Sequence, residues 1–429
     1  MSRLLWTRRR FSRMAAAAAL CPPLLAERRF APASGPDVNG PNSLRAHGAA
    51  AGVLTGCAVV PELLDFDQGN ASPDAEAYTR TVAEQAGILV AENAMKWSSL
   101  RPTASTYNFT PADKLFAFAA AYQQQVRGHN LCWHEQLPAW FSSVATKDNA
   151  ASLLTQHIQT VAGRYAGRVH SWDVVNEAVY LQDSRPDGLR NSPWLQLIGP
   201  SYIELAFTAA AKADPHAKLT YNDYDIELDT PEQTAKRGQV LLLVRRLVAR
   251  GIPIQAIGIQ SHLQATGPKP GSGLLSLIRE VAKLGLEVYI TEMDVNTHQL
   301  EGGSDVQDAA VAEVYKSYLG MVLAEPNVKA FLTWGITDAH TWLNQIRQPW
   351  TIRPDGSRQR PLPFDDEYRP TPAFFAIRSA IDTARRPVSQ PSSNAPQQPV
   401  SDPYAPFAVP GSPGTAPQPR PDGTPKPDA

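Results

Sequence analysis

The polar residues of this 429-residue chain gather in short runs, each placed where an apolar run stops. Residues 171–180 read SWDVVNEAVY. Val174 and Val175 suit a sheet, whereas Asn176 and Glu177 would be costly in a core unless paired or facing a polar cavity. The pattern recurs at ENAMKW (Glu92, Asn93, Lys96, Trp97), GHNLCWHEQ (His129, Trp133, His134, Gln136) and YNDY (Tyr221, Asn222 to Tyr224). It recurs again at QSH (Gln260, His262), TEMD (Glu292, Asp294) and WGITDAHTW (Trp334, Asp338, Trp342). Taken singly, each run has a plain structural explanation: Lys96 can pair with Glu92 at i,i+4, a histidine can sit satisfied in a core, and tryptophans pack. Taken together, they supply the groups that cleave a glycosidic bond. One carboxyl protonates the leaving oxygen while the other attacks carbon or activates water. Asn, Gln, His and Lys bind sugar hydroxyls, and Trp rings stack on the apolar faces of pyranoses. A metal held by His129, His134 and His262 is the competing chemistry. No two of these have the i,i+4 spacing of a helical metal site and the chain has no CxxC pair, so neither a metal nor a cofactor is expected.

Such groups need strands that end at one mouth. Short apolar segments at 53–60, 88–91, 126–132, 169–175, 218–222, 255–260, 287–291 and 329–334 alternate with amphipathic helical runs. Examples are AYTRTVAEQAG (77–87), SLLTQHIQTVAGRYAG (152–167) and RGQVLLLVRRLVARG (237–251), with Gly87, Gly167, Gly251 and Gly285 as closing signals. Eight strands, each followed by a helix, predict an α/β fold of the (β/α)8 TIM-barrel type forming a single catalytic domain. The alternative, a doubly wound open sheet, would carry a Gly-rich phosphate loop after its first strand, and GCAVVPELLD is not one. The two carboxylates at the ends of the fourth and seventh strands, Glu177 and Glu292, then face each other across the carboxyl-end mouth, where barrel enzymes place their sites.

The ends of the chain differ from its middle. Residues 1–33 hold seven arginines and one acid, which leaves the remainder net acidic, a poor match for nucleic acid or an anionic membrane. TRRRFSR (7–13), a short apolar stretch and APA at 31–33 read as a twin-arginine-type signal peptide, followed by a linker at 34–49. The apolar stretch is too short to span a bilayer, so no stable membrane insertion is expected, and the protein is expected to be exported to the periplasm or medium. The catalytic barrel is placed at 50–385. From 386 the chain is a Pro-rich tail, with thirteen prolines between Pro387 and Ala429, and is expected to be disordered. Cys57 and Cys132 lie in apolar stretches and are read as buried free thiols.

The ordered set ENAMKW, GHNLCWHEQLPAW, WDVVNEA, DGLRNSPWLQLIG, YNDY, GIQSHL, ITEMDV and WGITDAHTWL, spanning about residues 50–380, resembles the family-10 glycoside hydrolases, endo-β-1,4-xylanases. The resemblance implies a retaining mechanism on β-1,4-xylan, and the protein is expected to be a monomer. Glu177 resembles the general acid/base and Glu292 the nucleophile. Asn176 is then expected to bond the sugar 2-OH, and His262 to orient Glu292 with Asp294 behind it. Glu92, Asn93, Lys96, His129, Trp133 and Gln260 look like contacts on the glycone side, Tyr221 and Asn222 like aglycone contacts. Trp334 and Trp342 would wall the sugar nearest the cut, Trp342 favouring xylose by excluding a C6 hydroxymethyl. A retaining pair should stand about 5–5.5 Å apart. Glu135, where the family commonly has a small residue, is expected to point away, and the loop at 344–362 has no assigned subsite. The alternatives are action on another β-glycan or on short xylo-oligosaccharides, and a barrel that binds xylan without cutting it. The last would be expected to lack one of the two carboxylates.

Overall fold

The computed structural model describes residues 36–65, 72–346 and 348–384, so the signal and tail readings lie outside the described residues. Nine parallel-paired strands run β1 (Leu54–Val59), β2 (Ile88–Ala91), β3 (Gln125–His129), β4 (Ser171–Asn176), β5 (Lys218–Asp223), β6 (Ala256–Ile259), β7 (His262–Gln264), β8 (Glu287–Asn296) and β9 (Val328–Thr333). Each of the first five pairs with the next, β9 pairs with β1 and β8, and β6 pairs with β8. That last pairing closes an eight-stranded barrel, as expected. β7 stands outside the ring and pairs only with the outer half of β8.

The barrel follows from period-two patterning on strands buried on both faces. In β2, Ile88 and Val90 join Ala58, Ala256, Tyr289, Ala330 and Leu332 in one core cluster, whereas Leu89 and Ala91 join the larger cluster that includes the helices. Packing inside the ring is close enough to dictate glycine. A Cβ on Gly56 would lie 1.7 Å from the carbonyl oxygen of Ile88, and one on Gly128 2.1 Å from the indole of Trp172. Cys57 and Cys132 are buried free thiols.

Three sequence boundaries need correction. The segment 34–49, read as a linker, carries a helix, Leu44–Ala51. The Ser43 side chain accepts from the backbone N–H of Ala46 to start it, and Gly52, at φ 69, ends it. Leu44, Gly48 and Ala51 are buried, and His47 reaches Asp382 of the final helix Pro372–Thr383 at 2.6 Å. The sequence signal was weak because small alanines give little amphipathic contrast. Second, β8 continues to Asn296, five residues past the expected end, because β7 supplies it with a partner ladder. β3 instead stops at His129, leaving Cys132 to His134 on a loop.

Two glycine substitutions test this packing in opposite directions. Gly163 lies exposed in the helix Ala150–Arg164 with nothing near its missing Cβ. Gly163→Ala should therefore raise the unfolding free energy by about 0.5–1 kcal/mol. Gly56→Ala should lower it by roughly 3 kcal/mol or more, because the clash is with backbone. Urea unfolding of both variants is the check.

Candidate active site

The mouth of the barrel is assembled by strand register. Asn176 of β4 lies opposite Asn222 of β5, which lies opposite Gly258 of β6. A bulge in the β4–β5 pairing between Asp173 and Val175 brings Asn176 into that row. Gly258 is required there, since a Cβ would come within 2.0 Å of the Asn222 Oδ1. The β8–β9 pairing is also irregular between Ile290 and Met293, the stretch that carries Thr291 and Glu292.

Glu177 follows β4 with a left-handed backbone, φ 57, a conformation costing about 1–3 kcal/mol in a non-glycine residue. Its own partners hold it there. The Glu177 N–H donates to the Asn222 carbonyl at 2.9 Å, and Arg190 Nε donates to the Glu177 carbonyl at 2.9 Å. The side chain is fixed as firmly. Oε1 accepts from Gln260 Nε2 at 2.9 Å and Asn176 Nδ2 at 3.0 Å, and Oε2 accepts from Trp133 Nε1 at 2.8 Å. Glu292 accepts from Asn222 Nδ2 at 2.8 Å, and its other oxygen lies 3.3 Å from His262 Nε2. His262 Nδ1 lies 2.9 Å from Asp294, which also accepts from Trp342 Nε1 at 2.6 Å. The β7–β8 ladder places His262 directly beside Asp294.

Two amides connect the carboxylates. Asn222 Nδ2 donates both to Glu292 and to Asn176 Oδ1, at 2.9 Å, while Asn176 donates to Glu177. The orientation of Asn222 is set by the Thr291 hydroxyl, which donates to its Oδ1 at 2.8 Å. The two acids nevertheless have opposite protonation tendencies. Burial raises the Glu177 carboxyl above its usual range, against the opposing pull of Gln260, Trp133 and His134. Burial also pushes Glu292 upward, but His262, His129 and Asn222 outweigh it and bring the carboxyl down to about 2. Burial disfavours a charge on His262, yet Asp294 and Glu292 hold its imidazolium well above the ordinary histidine range. Over the window above about pH 2 and below the raised Glu177 value, a single proton on the pair therefore sits on Glu177.

Lys96 is buried beside the acids, donating to Asn93 Oδ1 at 3.0 Å with its ammonium 5.1 Å from the Trp133 ring. Glu92 is half-buried and accepts from Asn93, and burial raises its carboxyl. Trp334 packs edge-on against His129 at 5.4 Å, and Trp342 lies 5.2 Å from the His262 ring. His129 is held from below by Asp173 at 3.0 Å, which also pairs with Arg127. Trp133 and Gln260, expected on the glycone side, act first as donors to Glu177.

Tyr221 and Asn222 are corrected as aglycone contacts. Both are wholly buried. The Tyr221 hydroxyl bonds Asp223 and accepts from the Val179 N–H, and the Asn222 amide is committed to Glu292, Asn176 and Thr291. Strand alternation alone could not separate a residue ending inside the wall from one just above it. The residue that emerges is Tyr224, whose hydroxyl accepts from Arg190 at 2.9 Å. It lines a cleft of about 270 Å³ together with Tyr180 and Lys236. Asp173 was also missed, masked by its apolar neighbours in SWDVV. Glu135, expected to point away, is exposed, and its carboxylate lies 3.4 Å from His134 Nε2. Asp338 does not reach the mouth; it accepts from the Leu362 N–H at 3.0 Å. Among the described residues no cluster of three metal-ligating side chains is present, and no helix is long and apolar enough to cross a membrane.

Carbon-13 NMR titration of glutamate-labelled protein tests the electrostatics. Glu292 should titrate near 2 and Glu177 above the free-glutamate value of about 4.3. The depressed Glu292 value contributes stability above the unfolded carboxyl range that is lost as pH falls toward 2. Equal values for the two groups would contradict the assignment.

Comparison with known proteins converges on one family. The family model described as glycosyl hydrolase family 10 matches residues 43–380. Endo-1,4-beta-xylanase B of Thermotoga neapolitana is 39% identical over 323 residues, covering 74% of this chain and 88% of that protein. Beta-1,4-xylanase of Dictyoglomus thermophilum is 36% identical over 315 residues, covering 70% and 83%. The crystal structure of native xylanase 10B from Thermotoga maritima superposes with a TM-score of 0.70 at 36% identity, over 79% of this chain and 98% of that one. That of xylanase 10B from Thermotoga petrophila RKU-1 in complex with xylobiose gives 0.70 at 35% identity, over 80% and 98%.

Proposed function

The chain belongs to glycosyl hydrolase family 10, and from that premise we propose that it is a retaining endo-1,4-β-xylanase working by double displacement. The observation that carries the mechanism is the pair of buried carboxyls joined through Asn176 and Asn222 yet pushed in opposite directions, Glu177 up and Glu292 down. The xylan substrate is inferred from relatives named as xylanases. The enzyme is proposed to act as a monomer, and the mechanism below needs no residue from a second copy, because one barrel mouth carries both acids and the side chains that fix them.

In the first step Glu292, ionised and aimed by His262 and Asn222, attacks the anomeric carbon. Glu177 gives its proton to the glycosidic oxygen, so the C–O bond breaks and a sugar ester forms on Glu292. Esterification removes the Glu292 charge, which lowers the proton affinity of Glu177. Now a carboxylate, Glu177 takes a proton from water as that water attacks the anomeric carbon and releases Glu292. Gln260 and Trp133 favour the ionised form of Glu177 and therefore act chiefly in this second half. Asn176, with one N–H on Glu177, is placed to offer the other to the sugar 2-OH. Glu92, Asn93, Lys96 and His129 are assigned to the glycone side, with Trp334 and Trp342 as walls around the sugar nearest the cut. Tyr224 and Arg190 replace Tyr221 and Asn222 on the aglycone side.

Proton NMR of a fresh digest of linear β-1,4-xylan tests this reading. The β-anomer should appear first, before mutarotation, and Glu292→Gln should lower the rate by at least about 10³-fold. Early α-anomer would mean inversion and would overturn the role of Glu292. Absence of cleavage by the unaltered protein would overturn the substrate.

A further inference from the structure

The loop between the helix Trp342–Gln345 and the final helix carries exposed apolar side chains where a surface loop would ordinarily be polar. Trp350 is 48% exposed and Ile352 47%. Trp350 is not stray surface hydrophobicity. Its ring meets that of Trp342 at 5.6 Å and 61°, and Trp342 in turn lies 5.2 Å from His262, which bonds the nucleophile. The Trp350 ring therefore extends the series of rings that runs from His262 through Trp342 to an exposed side chain.

The loop is braced to present that ring. Asn296, at the end of β8, donates to the Trp350 carbonyl at 3.0 Å. Gln359 accepts from the Thr297 N–H at 2.7 Å and donates to the Thr351 carbonyl at 2.6 Å. Arg353, only 2% exposed, bonds the carbonyls of Thr297 and Gly302. An aromatic group on a braced backbone binds with a smaller ordering cost than one on a free loop. The described charged side chains of the loop are also spent on one another or on the body: Arg353 on Asp355, Arg358 on Asp366 and Arg360 on Asp308. A flat, exposed ring beside a carbohydrate site, with neighbouring charge neutralised, suits a neutral sugar better than an anionic or peptide ligand.

We propose that Trp350 is a further substrate-binding residue, stacking on a pyranose of the xylan chain beyond the one covered by Trp342. The inference rests on the xylanase reading above and deepens it, assigning a role to a loop without a subsite. Trp350 contacts none of the groups around Glu177 and Glu292 directly, so its stacking is assigned to uniform binding of ground and transition states, whose signature is a raised KM with kcat in place.

The test is the kinetics of the full chain and of Trp350→Ala and Trp350→Phe on soluble linear xylan. Trp350→Ala should raise KM about fivefold, the size expected for one aromatic contact, with kcat held within about twofold. Trp350→Phe should recover most of the loss. An unchanged KM in Trp350→Ala would overturn the proposal. A fall in kcat of tenfold or so would also overturn it, since Trp350 would then be only a buttress for Trp342 and the nucleophile behind it. Failure of the unaltered chain to cleave xylan would instead remove the xylanase reading, and this inference with it.

Discussion

The site depends on how one amide, that of Asn222, is oriented. With Thr291 donating to its oxygen, its nitrogen can only donate, and it does so both to Glu292 and to Asn176. That single choice fixes Glu292 as an acceptor and therefore favours its ionised form. It also turns Asn176 so that its own N–H meets Glu177. Two carboxyls buried in one cavity would otherwise compete for a proton on equal terms. Here the histidines and Asn222 stabilise charge on one side, while burial favours the neutral acid on the other.

Much of the barrel can be understood as what keeps that row of polar groups in place. The bulge in β4 aligns Asn176 with Asn222, and Gly258 leaves the space that the Asn222 oxygen occupies. β7 contributes only three residues, yet it extends β8 and sets His262 against Asp294. Below the mouth, Arg127 and Asp173 form a buried ion pair that also holds His129. Buried ion pairs are weak contributors to stability, and this one connects β3 to β4 directly beneath His129. Glu177 takes the cost of a left-handed backbone because its N–H, carbonyl and both carboxylate oxygens all have partners.

The closed barrel was legible because each apolar run ends in polar groups, a pattern that survives without knowledge of which strand neighbours which. Glu177, Glu292, His262 and Asp294 come together in the mouth for the same reason. What was not legible depended on depth within a strand. Tyr221 and Tyr224 stand three residues apart in one motif, and the first is buried inside β5 while the second, just past the strand's end at Asp223, lines the cleft. Asp173 went unseen because a buried charge is expected to be absent unless its partner is known, and Arg127 lies on a different strand. The helix at Leu44–Ala51 went unseen because alanine and glycine carry little hydrophobic contrast, although Ser43 and Gly52 mark its ends. Trp350 had no periodic context at all, and its position beside Trp342 is a product of loop bracing from residues far apart in sequence.

The central claim is that Glu292 forms a covalent ester with the sugar while Glu177 moves protons. Incubating the protein with a 2-deoxy-2-fluoro xylobioside carrying a good leaving group should slow release of the ester enough to trap it, and peptide mass spectrometry then locates the label. The account predicts one sugar adduct per chain, on the peptide bearing Glu292. A label on Glu177, or turnover of the activated glycoside with no adduct at any exposure, would contradict it.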